Sequence, residues 1–166
     1  MADAIRAFVG MGGNIGDVAN TLMEAIWAME ALPQTSVRSQ SDLYRSPPWG
    51  RTDQAEFINA VVELQTRLAA TVLLESLIEI EQKFGRVRDL DERWGPRTLD
   101  LDLLIYGEQT IQTPGLCIPH PHLHERGFVL VPLAQIAPKL EVPGQGRVSE
   151  LLAAIDASNI TAIDQA

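Results

Sequence analysis

Between Leu99 and Leu103 the chain alternates apolar and acidic residues, and the stretch from there to Gly107 reads as an extended strand. Leu99, Leu101, Leu103 and Ile105 take one parity, and Asp100 and Asp102 take the other. Successive strand residues point to opposite faces, so the apolar set anchors the strand in a core and the two carboxylates share the remaining face. They stand about 6.6 Å apart along the strand. Two anions on one face repel unless a cation or a cluster of donors sits between them. A divalent metal fits that spacing, as does a pair of metals roughly 4 Å apart holding a polyphosphate. Immediately upstream lie Lys83, Arg86, Arg88, Arg93 and Arg97, five of the 13 lysines and arginines in the chain. Asp89, Asp91 and Glu92 are interleaved with them, which fits a solvated charged loop as well. Beside the aspartate pair, the arginines favour a compact anion bound together with a metal.

The net charge of −9 argues against a general nucleic-acid binder, which needs a basic footprint. At 166 residues the chain suits a single domain, 1–166, able to bury roughly 70% of its unfolded surface. The first residues lack the basic start and apolar run of a secretory signal. No apolar stretch approaches the roughly 20 residues that span a bilayer. Cys117 is the only cysteine. A cytoplasmic monomer with no membrane partner is therefore expected. Cys117 has no evident base beside it, and the expectation is a buried thiol rather than a nucleophile.

The order of elements reads β-α-β-β-α-β. A first strand is expected over 5–9, ending in a glycine-rich turn over 10–16. Asp17 caps a helix to about residue 32, with Val18, Leu22, Ile26 and Met29 on one face. A strand over 35–45 leads to the irregular Ser46-Pro47-Pro48-Trp49. The next strand, 56–66, turns Ile58, Ala60, Val62 and Leu64 to the core. A helix over 71–84 stops at Gly85, and the arginine loop and aspartate strand follow. Short strands are expected near 108–111 and 116–120, a helix starting at Pro132, and another capped by Ser149. This is the α+β class on a ferredoxin-like split βαβ plan, an antiparallel-rich sheet covered by helices. Many functions use that plan, so function must come from the site.

Three further groups qualify as site parts. The segment Gly10-Met11-Gly12-Gly13-Asn14-Ile15-Gly16 lies where a phosphate loop would, but lacks the P-loop lysine and the dinucleotide glycine order, so a tight structural turn is expected. Phe57 and Asn59 share a strand face. With Trp49 and Trp94 in loops, they suit a flat polar heterocycle, the rings stacking and the amide offering a donor and an acceptor. His120, His122 and His124 alternate as transition-metal ligands can, yet Pro121 disfavours a regular strand and no zinc motif accompanies them. One of these histidines touching phosphate together with Arg126 is the expectation.

The pieces Gly12-Gly13-Asn14, Tyr44-Arg45-Ser46-Pro47-Pro48, Phe57-Ile58-Asn59-Ala60, Arg86-Val87-Arg88, Arg93-Trp94-Gly95-Pro96-Arg97-Thr98-Leu99-Asp100-Leu101-Asp102, Pro119-His120 and Arg126-Gly127-Phe128 follow in this order. Together they resemble the 6-hydroxymethyl-7,8-dihydropterin pyrophosphokinase family of the folate pathway. The resemblance implies transfer of a pyrophosphoryl unit from ATP to the pterin hydroxymethyl oxygen, with release of AMP. It implies two Mg²⁺ ions held by Asp100 and Asp102, with Asp102 also near the attacking hydroxyl as its proton acceptor. It makes Arg86 and Arg97 catalytic and adds Arg88 as a phosphate ligand, on a loop that closes over both substrates. It places Ser46, Pro47, Trp49, Phe57, Asn59, Trp94 and Phe128 around the pterin. Leu74, Glu81, Leu103, Cys117, His120 and Arg126 fall at the ATP site. The acidic Asp89-Leu90-Asp91-Glu92 segment departs from familiar relatives, as do Gly115 and Pro121. A two-metal phosphohydrolase and a nucleotide-binding module without turnover are the rival readings. The first predicts water as acceptor, and the second gives no reason for carboxylates and arginines to converge.

Overall fold

The structure, a computed structural model, describes residues 3–48, 53–85 and 98–163. Strand β1 (Ile5–Gly13) is the centre of the main sheet, paired antiparallel with β4 (Phe57–Thr66) on one side and β5 (Asp100–Tyr106) on the other. Beyond β4 lie β2 (Thr35–Gln40) and β3 (Tyr44–Ser46), both antiparallel to it. Helices α1 (Val18–Glu30) and α2 (Ala70–Lys83) make the two crossovers, so the expected split βαβ plan is realised.

The helices form where the pattern placed them. The Asp17 carboxylate accepts the Asn20 N–H at 3.3 Å, capping α1, whose Val18, Leu22, Ala25, Ile26 and Met29 are buried. In α2 the buried face is Leu73, Leu77 and Ile80, and Gly85 ends the helix at φ +89°. Both helices cover the face carrying Ala7, Val9, Met11, Ala60, Val62, Leu64, Leu101 and Leu103. The opposite face packs Phe8 and Val61 against α3 (Gly127–Ile136) and α4 (Val148–Ala153). Because both faces are covered there, β1 is apolar from Ala7 to Val9 rather than alternating, and only Arg6, exposed at the start of the strand and paired with Glu63, is charged. Phe8 is fully buried there, and cutting it to alanine would cost about 3–5 kcal/mol.

Several expectations are corrected. The glycine-rich segment is no turn as far as Gly13. Gly10 and Gly12 are paired on both sides, which holds them extended. The expected strand over 35–45 breaks at Ser41, whose hydroxyl accepts the Val61 N–H at 2.9 Å in place of a ladder carbonyl. Ile105 does not share a face with Leu103. The register shifts so that Phe8 opposes Ile105 while Val9 opposes Leu103, and the extra residue Leu104 is a bulge. Ile105 thereby joins Leu104 in the core under α3 and α4, and Tyr106 returns to the other side.

The chain continues in a hairpin, β6 (Ile111–Thr113) with β7 (Leu116–Ile118), and a 3-10 turn at Leu123–Glu125. The helix expected to begin at Pro132 begins at Gly127 and contains that proline, because the Val129 and Leu130 N–H groups both bond back to the Arg126 carbonyl. Pro132 has no N–H to return to the Phe128 carbonyl, so α3 lacks that rung. Likewise α4 starts at Val148, with Ser149 inside it. A second hairpin, β8 (Glu141–Val142) with β9 (Gly146–Arg147), and β10 (Thr161–Ala162), which pairs with β3, carried no period-2 signal because each is two residues long.

Candidate active site

On the sheet face shared with α3, the pairing lines up a single row. Asp100 on β5 opposes Gly12 on β1, Gly12 opposes Asn59 on β4, and Asn59 opposes Tyr44 on β3. Beside it runs Asp102, Gly10 and Val61, and at the other edge Ser46 opposes Phe57. Residues opposite each other in a ladder share a face. Asp100 and Asp102 therefore occupy one end of a floor whose other end is Ser46, Phe57 and Asn59. Two strand spacings, roughly 10 Å, separate Asp100 from Asn59, the scale of a ring carrying a diphosphate arm. Glycine at 10 and 12 leaves that floor open between the two ends.

Each end is built differently. Asn59 is buried, and its Nδ2 donates to the equally buried Ser46 Oγ at 2.7 Å. That bond fixes the amide so that Oδ1 lies over Gly12, where a Cβ would stand only 2.5 Å away. Asn14 holds the segment leading into β4, its Nδ2 donating to the Gln54 side chain and the Ala55 carbonyl at 2.9 Å each. At the aspartate end, the buried Glu81 carboxylate accepts the Leu101 N–H at 2.7 Å, from the far side of the sheet. The backbone between Asp100 and Asp102 is thus tied to the last turn of α2.

The wall comes from His120 and the start of α3. The His120 N–H bonds to the Leu104 carbonyl at 2.9 Å, and its Nδ1 accepts the His122 N–H at 3.2 Å. With Nδ1 an acceptor, Nε2 carries the proton and is the donor available to a ligand. Burial first, then the Arg126 and His122 charges, lower the His120 pKa to about 4, against an opposing pull from Asp100. The ring is neutral at physiological pH. The Arg126 guanidinium stands 5.6 Å from the centre of the Phe128 ring.

The three histidines diverge. His122 pairs with Glu125 at 3.3 Å, and His124 Nδ1 is buried without a hydrogen bond. Among the described residues no group of three or more histidine, cysteine or carboxylate side chains is placed to hold a metal. Asp100 and Asp102 offer oxygen donors only. That set suits Mg²⁺, which keeps waters and substrate phosphates as its other ligands.

The remaining candidates separate. Pro47 is exposed beside Ser46. Leu74 and Leu103 belong to the core under α1 and α2, on the side of the sheet away from Asp100 and Asp102, as does Glu81. Cys117, expected to be buried, is exposed. It alternates on β7 with the inward Leu116 and Ile118, so the hairpin turns it out to solvent. Arg86, Arg88, Arg97, Trp49 and Trp94 lie outside the described residues. The roles of Gly10, Gly12 and Tyr44 escaped sequence reasoning. The signal for the first two was glycine at alternate positions, the mark of a strand face that must stay low.

Residues 8–138 match the family described as 7,8-dihydro-6-hydroxymethylpterin-pyrophosphokinase, HPPK. The chain belongs to this family. A 2-amino-4-hydroxy-6-hydroxymethyldihydropteridine pyrophosphokinase of Pseudomonas aeruginosa is 48% identical over 90% of this chain and 91% of its own. The enzyme of that name from Methylorubrum extorquens is 45% identical over 96% of this chain and 99% of its own. In fold, the family member resembles a crystal structure of HPPK-DHPS in complex with substrates. The TM-score is 0.72 at 13% identity, covering 91% of this chain and 43% of that one. A Plasmodium falciparum HPPK-DHPS structure with pteroate gives the same TM-score of 0.72 over 93% of this chain and 43% of its own. The chain thus spans less than half the length of these two solved structures, and at such identity the likeness is one of fold.

Proposed function

We propose that this protein transfers the β,γ-diphosphoryl group of ATP to the hydroxymethyl oxygen of 6-hydroxymethyl-7,8-dihydropterin, releasing AMP, as a step of folate biosynthesis. The observation that carries the reading is the row Asp100, Gly12, Asn59 across one open sheet face, in a chain of this family. Ring recognition sits at one end of the row and carboxylates sit at the other.

On this reading Phe57 and Phe128 flank the pterin, Asn59 reads its amino-pyrimidinone edge, and Ser46 keeps the amide turned correctly. Pro47, Trp49 and Trp94 complete the pocket. His120, through Nε2–H, and Arg126 bind phosphate oxygens of ATP, with Arg86, Arg88 and Arg97 gripping the same phosphates. Leu74, Glu81, Leu103 and Cys117 belong to the ATP side, the first three supporting it from beneath the sheet. Asp100 and Asp102 hold Mg²⁺, as two ions. Bound there, the metal neutralises phosphate charge and makes the β-phosphorus more electrophilic. The new bond joins the hydroxymethyl oxygen to the β-phosphorus, and the bond to the oxygen shared with the α-phosphorus breaks, leaving on AMP. On this reading Asp102 accepts the proton of the hydroxyl. Excluding water at this point keeps ATP from hydrolysis. No described helix is long and apolar enough to cross a membrane, and a cytoplasmic monomer working on two small soluble substrates fits this reading.

The test is to incubate the protein with ATP, Mg²⁺ and the pterin and to resolve the adenine nucleotides. AMP formed one-for-one with pterin diphosphate, and only when metal and pterin are both present, is the expected result. ADP, or AMP released without pterin, would overturn it.

A further inference from the structure

The exposed Gln135, seven residues beyond Phe128 on the last turn of α3, makes a hydrogen-bond set unusual for a surface side chain. Its Oε1 accepts both the Asp42 N–H and the Tyr44 hydroxyl at 2.8 Å, and its Nε2 donates to Asp42 Oδ2 at 2.9 Å. Asp42 and Tyr44 lie at the entry to β3, and Tyr44 is buried directly opposite Asn59 in the ladder. One amide thus joins the C-terminal end of α3 to the strand that carries Ser46.

The opposite end of α3 is held from the β5 side. His120 bonds there to Leu104, and the chain then passes through the 3-10 turn, with Leu123 fully buried, into Arg126. Between the two ends Pro132 removes a helical rung, so the helix itself transmits position poorly. If the Gln135 tie is cut, the entry to β3 at Asp42 and Tyr44 loses its anchor on α3. Ser46 and its partner Asn59 then shift relative to Phe128, while His120, Arg126 and Phe128, at the far end of α3, keep their places.

We propose that Gln135 is a positioning residue for the pterin end of the site, setting the width of the slot between α3 and β3 through Asp42 and Tyr44. This rests on the assignment of Phe128, Ser46 and Asn59 to the pterin.

The polarity of the tie permits a reciprocal test. Gln135→Met removes all three hydrogen bonds at similar volume. Gln135→Glu keeps the two acceptor bonds but sets a second carboxylate against Asp42. Combining Gln135→Glu with Asp42→Asn restores a donor and an acceptor with the direction reversed. Affinity for 6-hydroxymethyl-7,8-dihydropterin is read by fluorescence titration and affinity for MgATP by calorimetry, alongside kcat and both KM values.

Gln135→Met and Gln135→Glu are expected to weaken pterin binding by about three- to tenfold, with MgATP affinity within about twofold of native. The double variant is expected to recover most of the loss. Unchanged pterin affinity in Gln135→Met, equal losses for pterin and MgATP, or no recovery in the double variant would each overturn the inference. Phe128→Ala separates this failure from that of the underlying assignment. If it too leaves pterin affinity unchanged, the pterin end is misplaced, whereas a loss there with Gln135→Met silent refutes only the role of Gln135.

Discussion

Replacing Gly12 by alanine tests the site through a single methyl group. The added Cβ would lie 2.5 Å from Asn59 Oδ1 and 3.4 Å from the Ile58 carbonyl oxygen. Carbon and oxygen rest no closer than about 3.3 Å, so Oδ1 must retreat by about 0.8 Å (3.3 minus 2.5). The amide is rigid, and a turn of that size carries Nδ2 off its 2.7 Å bond to Ser46 Oγ. Stranding a buried amide costs about 1–3 kcal/mol, divided between folding and ligand binding. Alanine returns about 0.4–1 kcal/mol by restricting the unfolded chain, since Gly12 does not need a positive φ. The variant should therefore fold with a modestly lowered Tm, bind the pterin about tenfold more weakly, and bind MgATP nearly as before. Gly10→Ala is the steric comparison, since it adds a methyl to the same floor without touching the Asn59 amide. It lies on the same strand face two residues away, and its Cβ would meet Leu104 Cδ1 at 3.4 Å, an ordinary contact. Fluorescence titration with the dihydropterin, paired with thermal unfolding, reads both quantities. A folded Gly12→Ala protein that binds pterin within twofold of native would refute the claim that the Asn59 amide, seated on Gly12, is what reads the ring.

Asp100→Asn and Asp102→Asn should each lower kcat by about 10³ or more at saturating Mg²⁺, because each removes an anionic oxygen donor from the metal-binding face; a steady-state Mg²⁺ titration with kcat within tenfold of native would contradict that role. Glu81→Ala strands the buried Leu101 N–H and should cost about 1–3 kcal/mol in urea unfolding, with a larger loss of activity than the core truncation Leu77→Ala, which costs at least as much stability at about 2–5 kcal/mol. His120 has its pKa lowered in the folded state to about 4, from an unfolded value near 6.5. The unfolded chain therefore binds more protons between those values, and stability present above pH 6.5 is lost as pH falls towards 4. For a half-buried ring this amounts to roughly 1–2 kcal/mol once solvent screening is allowed for. His120→Gln should flatten the fall of Tm between pH 6.5 and 4.5, and an unchanged slope would contradict the assignment.

The alternation of Leu99 to Leu103 with Asp100 and Asp102 was enough to place the aspartates on one strand face. The 3.6-residue periodicity of α1 and α2 was enough to place the crossovers. Both signals are local: a face has to be buried, and residue spacing says which one. The bulge at Leu104 lay beyond such reasoning. An extra residue in a strand shows only against a partner, and β1 is over 80 residues away in sequence. The same holds at Gly10 to Gly13, where glycine content argued for a turn. Ladder pairing on two sides overrode that propensity. Cys117 faced outward for a related reason. In a three-residue strand the pattern Leu-Cys-Ile reads equally well as fully buried or as alternating, and only the packing of the hairpin chose.

The sequence by itself determined the fold class, and it set the expectations of metal and phosphate chemistry at the carboxylate end and of a flat polar ligand at the other. Each follows from residue types at short spacing. Tertiary structure alone decided which residues stand opposite one another. It set Asp100, Gly12, Asn59 and Tyr44 in one row, seated the Asn59 amide on a missing side chain, and joined α3 to β3 through Gln135. Those relations are distances between segments far apart in the chain, and they exist only once the strands have paired.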